Sequence, residues 1–102
     1  MWNDAIAMLP DALGAARLEC GDGGWQVSRV AGEVDTDWAL ATLRAGESAF
    51  DGEAAGCEVE MIVRRDELTV IVADARCVVV LRLSRDANVG MALGFARQQV
   101  RA

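Results

Sequence analysis

The stretch "CEVEMIVRRDELTVIVADARCVVVLRL", residues 57–83, changes its apolar period partway along. Cys57, Val59, Met61 and Val63 alternate with Glu58, Glu60, Ile62 and Arg64, the two-residue period of a strand with one wet face, and a turn is predicted at Arg65 to Glu67. Leu68 to Ala73 and Val78 to Leu83 are apolar at successive positions, which predicts central strands covered on both faces. The alternating strand therefore belongs at a sheet edge. Glu58 and Glu60 would serve there as charges that discourage uncontrolled pairing.

Helical periods flank this β-rich block. In "WNDAIAMLPDAL" Trp2, Ile6, Leu9 and Leu13 fall at helical spacing, and Pro10 biases Leu9 away from helical geometry, so a short first helix ends near there. "GAARLECGDGGWQVSRVAGE" reads as two strands joined at Gly21 to Gly24, where glycines suit the positive φ of a hairpin turn. A second helix follows in "DTDWALATLRAGESAFDG", with Asp35 as N-cap and Asp37 in the first turn, where negative charge suits the helix dipole. On a wheel, Trp38, Ala39, Thr42, Leu43, Ala45, Gly46, Ala49 and Phe50 fill an arc of roughly 160°, opposite Asp37, Arg44, Glu47 and Ser48. Such an arc fits either an ordinary core helix or one packed on its own sheet along one edge and on a partner along the other.

The chain closes with "LRLSRDANVGMALGFARQQV". Asp86 or Asn88 is placed to cap a last helix whose apolar face comprises Val89, Ala92, Leu93, Phe95, Ala96 and Val100. Gly90 and Gly94 fall on the opposite side with Arg97 and Arg101, although each glycine costs roughly 1 kcal/mol relative to alanine inside a helix. They are either neutral surface residues or an accommodation that lets the first helix approach. The element order is helix, two strands, helix, three strands, helix, in a single domain spanning residues 1–102.

Composition narrows the chemistry. The net charge is −6, and all ten basic residues are arginines scattered along the chain, so no stripe exists to neutralise a phosphate backbone or an anionic membrane. Neither nucleic acid nor a membrane is expected as a partner. With no histidine and no lysine there is no histidine base, Schiff-base lysine or phosphate-loop lysine, and no G-x-x-x-x-G-K-[ST] string occurs. Glu58 and Glu60 read as solvated surface rather than a catalytic carboxylate pair, and "CGDGG" lies between strands without opening a helix that would supply a phosphate site. Cys20, Cys57 and Cys77 have no C-x-x-C spacing and read as buried apolar thiols. Catalytic, metal-binding and cofactor-binding residues are all assigned as none. Asp4 stands where a signal peptide would be basic, and no apolar run approaches the ~20 residues of a membrane span, so a soluble, cytoplasmic protein is expected.

Two strings carry a family resemblance. "MLPDALGAARLE" looks like the entry from first helix to first strand, and "VVVLRLSRDANVGMALGFARQQV" like the last strand, turn and final helix, of the Roadblock/dynein light chain family in its small bacterial form. The element order agrees along nearly the whole chain, while the residue motif is confined to Asp86, Ala87, Asn88, Val89 and Gly90. The chain departs from the family at "CGDGGWQV", where a tighter Asp-Gly turn is common. The resemblance implies an α+β fold of profilin or longin type, a five-stranded antiparallel sheet with helices on both faces, the second helix on one and the terminal helices on the other.

The resemblance also implies a homodimer joined by third strands and second helices, forming a non-catalytic platform that binds and regulates a small Ras-like GTPase. Together with the helix arc and the alternating strand, it places Trp38, Leu43, Phe50, Cys57, Val59, Met61 and Val63 at the dimer interface. Leu40, Arg44, Glu47 and Ser48 are assigned to partner contact. Asp86, Asn88 and Gly90 are assigned to the structural turn. On its own Arg44 reads first as a solvated helix residue able to pair with Glu47 at i+3, so it is assigned to docking and not to catalysis. The alternatives from other classes are a small acidic secretion-type chaperone and a ligand-sensing domain.

Overall fold

The computed structural model describes residues 6–7, 9, 11–21, 23–46, 58–63, 65–73 and 77–101. The elements are β1 (Ala12–Gly21), β2 (Gly24–Gly32), α1 (Thr36–Gly46), β3 (Glu58–Val63), β4 (Glu67–Ala73), β5 (Cys77–Ser84) and α2 (Val89–Arg101). Of the first predicted helix, Ile6 and Ala7 are helical, and the Leu9 N–H donates to the Ile6 carbonyl at 3.0 Å. The five strands form one antiparallel sheet in the order β2-β1-β5-β4-β3. The alternating strand is thus an edge, and the two fully apolar runs are interior.

Each face of the sheet has its own core. Ile6, Leu9, Ala15, Val70, Val72, Val79, Leu81 and Leu83 pack with Ala92, Ala96 and Val100 of α2. On the other face Ala16, Leu18, Ile71, Val78 and Val80 pack with Ala39 and Leu43 of α1. Adjacent residues of β4 and β5 feed opposite cores, which is why neither strand could spare a polar face. The second predicted helix and the terminal segments lie on opposite faces, as the family resemblance implies.

Local chemistry sets the helix starts. Asp35 Oδ1 accepts from the Trp38 N–H at 2.7 Å, and Asn88 Oδ1 accepts from the Met91 N–H at 3.1 Å, so each cap satisfies a donor the helix cannot. Of the two candidates for the last helix, Asn88 is the cap. Asp86 sits back in the turn, where its own N–H meets Ser84 Oγ at 3.3 Å. The predicted turn at Arg65 to Glu67 is also shorter: Glu67 already belongs to β4, paired with Ser84.

Gly90 and Gly94 are both exposed, and a Cβ on Gly94 would meet nothing within 4 Å among the described residues. No crowding is relieved there. Replacing Gly94 by alanine is expected to stabilise the fold by about 1 kcal/mol, raising the melting temperature by roughly 4–8 °C. A calorimetric scan with no gain would mean that this surface is covered in the working assembly.

The hairpin explains a difference in the cysteines. Cys77 is buried as expected, but Cys20 is exposed, because it stands opposite Trp25 at the turn end of the β1–β2 hairpin. Cys57 lies outside the described residues. No helix among the described residues is long and apolar enough to cross a membrane.

Candidate functional site: the β3 edge and the α1 groove

The two free edges of the sheet differ. Along β2 the pairing with β1 slips: Arg17 faces Arg29 and Leu18 faces Val27, so Ser28 is an extra residue, and its hydroxyl donates to the Arg17 carbonyl at 3.1 Å. A bulge of this kind bends an edge strand and interrupts the row of groups another strand would need. β3 instead pairs with β4 without a break from Glu58 to Val63. Its end carries an exposed apolar side chain, Val63, at 60% relative exposure. The sheet has one guarded edge and one regular edge.

Beside β3 lies a groove of about 300 Å³ lined by Trp38, Ala41 and Thr42 of α1 and by Ile62, Glu67, Thr69 and Arg82 of the sheet. A second cleft of about 350 Å³ at the start of α1 is lined by Gly32, Glu33, Val34, Asp35, Trp38 and Arg82. Trp38 and Arg82 form walls of both. Arg82 is fully engaged: Nε and Nη2 grip the Glu67 carboxylate in a fork, and Nη1 donates to the Glu33 carbonyl at 2.9 Å. The hydrogen bond to Glu67, seconded by the nearby negative charges, holds the guanidinium above its ordinary value despite some desolvation. One side chain therefore ties together β4, β5 and the junction that leads into α1.

No protein-family model matches the chain, and the search of curated proteins finds no match either. Solved structures do match it. A crystal structure of a Roadblock/LC7 domain from Streptomyces avermitilis superposes with a TM-score of 0.60 over 95% of this chain and 85% of that one, at 22% sequence identity. This chain has the Roadblock/LC7 fold. At that identity the likeness concerns the path of the backbone, and the Roadblock/LC7 fold here is carried by its own set of side chains.

Within the Roadblock/LC7 fold the residues singled out from sequence separate into three groups. Leu43, assigned to an interface, is consumed by the chain's own core at 4% exposure, and Leu40, assigned to partner contact, packs half-buried against the same core. Both lie on the sheet side of α1 because Ala39, Leu40 and Leu43 follow one helical stripe. Trp38 is half-buried at the groove, while Arg44 is exposed on the outer side. β3 brings Val59, Met61 and Val63 opposite Val72, Val70 and Leu68 at the sheet edge. Phe50, Glu47, Ser48 and Cys57 lie outside the described residues.

Arg82 and Glu67 were missed by pattern reading. The signal existed: Arg82 is the one charged residue in the run from Cys77 to Ser84. Among the described residues no cluster of metal-ligating side chains forms. What the groove and edge bring together is half-buried Trp38, small residues of α1 and the outer side of β3, the last strand of the sheet.

Proposed function

We propose that this chain is a non-catalytic, cytoplasmic regulatory platform in which two copies pair through β3 and the face bearing the α1 helices docks a small Ras-like GTPase. The observation that carries the pairing is the contrast between edges, a bulged β2 against a regular β3 ending in exposed Val63. Two such edges meeting at a two-fold axis satisfy each other's amides and carbonyls. The choice of client rests on the Roadblock/LC7 fold and on the family-like string from Asp86 to Gly90.

Arg44, exposed on α1, and Glu47, which the helical wheel puts on the same side as Arg44, are assigned to docking. The experiment is capture of a GTPase from native cytosol in defined nucleotide states, compared between the native chain and the variant Arg44→Glu with Glu47→Arg. The variant is expected to remain dimeric by light scattering and to capture less GTPase, mainly through slower association, because rim charges govern encounter and register. Unchanged capture, or no GTPase recovered in either nucleotide state, would refute the client; a monomer at micromolar concentration would refute the platform. Purified protein is expected to show no GTP turnover of its own.

A further inference from the structure

We propose that two copies of this chain pair through β3 in one register only, with Met61 on the two-fold axis, and that Glu58 and Glu60 are the charges that exclude a competing register. The inference rests on the reading that β3 is the dimer edge and adds which residues meet there.

Symmetry removes half of the conceivable registers. Two antiparallel strands related by a two-fold axis share a sheet only when that axis stands perpendicular to it, and such an axis keeps each face of the sheet on its own side. Residues directly opposite one another point to the same face, whereas neighbours along a strand point to opposite faces. The axis must then pass through a residue paired with its own copy, never between two residues. Within β3, Glu58–Val63, the axis positions that pair three or more residues are Val59, Glu60, Met61 and Ile62.

Charge and length decide among these. With Glu60 on the axis, residues 58–62 pair, but Glu60 faces Glu60 of the other copy, and like charges directly opposite are destabilising. With Val59 or Ile62 on the axis only three residues of the strand are paired, 58–60 or 61–63, so fewer ladder hydrogen bonds form, and with Val59 there Glu58 also faces Glu60 of the other copy. With Met61 on the axis residues 59–63 pair: Met61 meets Met61, Val59 meets Val63, and Glu60 meets Ile62. That register covers Val63, the exposed apolar residue at the end of the strand. It also lines up Val59, Met61 and Val63, which stand opposite Val72, Val70 and Leu68 of the α2-side core, so an apolar row continues from one copy into the next.

Disulfide trapping reads the axis directly. In a chain carrying Cys20→Ser and Cys57→Ser, the substitutions Glu60→Cys, Met61→Cys and Ile62→Cys are introduced singly and exposed to a mild oxidant. A residue on the axis lies about 4.5–5.5 Å from its copy between Cα atoms, inside disulfide range. With Met61 on the axis, positions 60 and 62 are each displaced from their own copies by two residues along the strand, which puts those Cα atoms about 8 Å apart, beyond the ~7 Å limit. Met61→Cys is expected to double in mass on a non-reducing gel while the other two stay single.

A second measurement guards against a misfolded variant. Val59→Cys and Val63→Cys chains, each expected to stay single alone, should cross-link when mixed and allowed to exchange subunits, with thermal melts of the reduced proteins confirming their fold. Cross-linking at Glu60→Cys or Ile62→Cys instead would overturn the register while leaving the β3 dimer standing. A dimer by light scattering with no cross-link in any variant would overturn both register and edge, and a monomer would overturn the pairing itself.

Discussion

Gly32→Ala is expected to cost about 2–5 kcal/mol. Two terms add. Gly32 has φ +71°, a conformation that costs a residue with a Cβ roughly 1–2 kcal/mol. The added Cβ would also be driven into the Leu13 carbonyl oxygen and stand 2.9 Å from the Gly14 Cα, and both are backbone atoms of β1 that cannot rotate aside. Overpacking of this kind costs about 1–3 kcal/mol. Against a total stability of about 5–15 kcal/mol this is a large fraction, and a fall in melting temperature of roughly 10–40 °C is expected. Gly14, the Cα partner of Gly32, is the internal comparison: its φ is not in the positive range, yet a Cβ there would approach the Ala31 oxygen at 2.7 Å and the Glu33 nitrogen at 2.9 Å. Its alanine variant is expected to lose only the overpacking share. Denaturant melts that place Gly32→Ala within about 1 kcal/mol of the native protein would show that the strand pair can part to admit the methyl group.

The second large effect concerns Arg82. Arg82→Ala removes a bidentate pairing to Glu67 and the bond to the Glu33 carbonyl, and is expected to cost about 2 kcal/mol, since hydrogen bonds to charged groups contribute more than neutral ones but these side chains are still 31% and 23% exposed. The location of the loss matters more than its size. Glu33 lies in the junction that leads into α1, so amide exchange at residues 38–43 is expected to quicken while β4 and β5 keep their protection. Arg82→Lys keeps the charge but has no planar fork to span carboxylate and carbonyl, and should recover less than half. A loss spread evenly over the sheet would mean that Arg82 supports the fold at large rather than the seating of α1.

How far the chain could be read before folding differs by element. β4 and β5 were legible because burial on both faces leaves only apolar residues acceptable, and α2 because its stripe at Val89, Ala92, Ala96 and Val100 is continuous. The outer part of α1 was less legible. Its wide apolar arc did not say which residues the chain's own sheet would consume, and the structure takes Leu43 and part of Leu40 for the core while leaving Trp38 at the groove. Cys20 was misjudged for a related reason: burial depends on distance from the helices, and a residue at the turn end of this hairpin is beyond their cover.

The amino-acid sequence by itself determined the order of the strands and of the two long helices along the chain, which strand stands at the edge beyond β4, and that Asp35 and Asn88 stand where helices start, because periodicity, turn chemistry and capping act over a few residues. Tertiary structure alone decided that Arg82 reaches both Glu67 and Glu33, that Gly14 and Gly32 touch backbone to backbone, and that β2 carries a bulge while β3 does not. These are meetings of residues far apart in the chain, and no local pattern encodes them: they depend on strand order and register, which are set when the two cores close over the sheet.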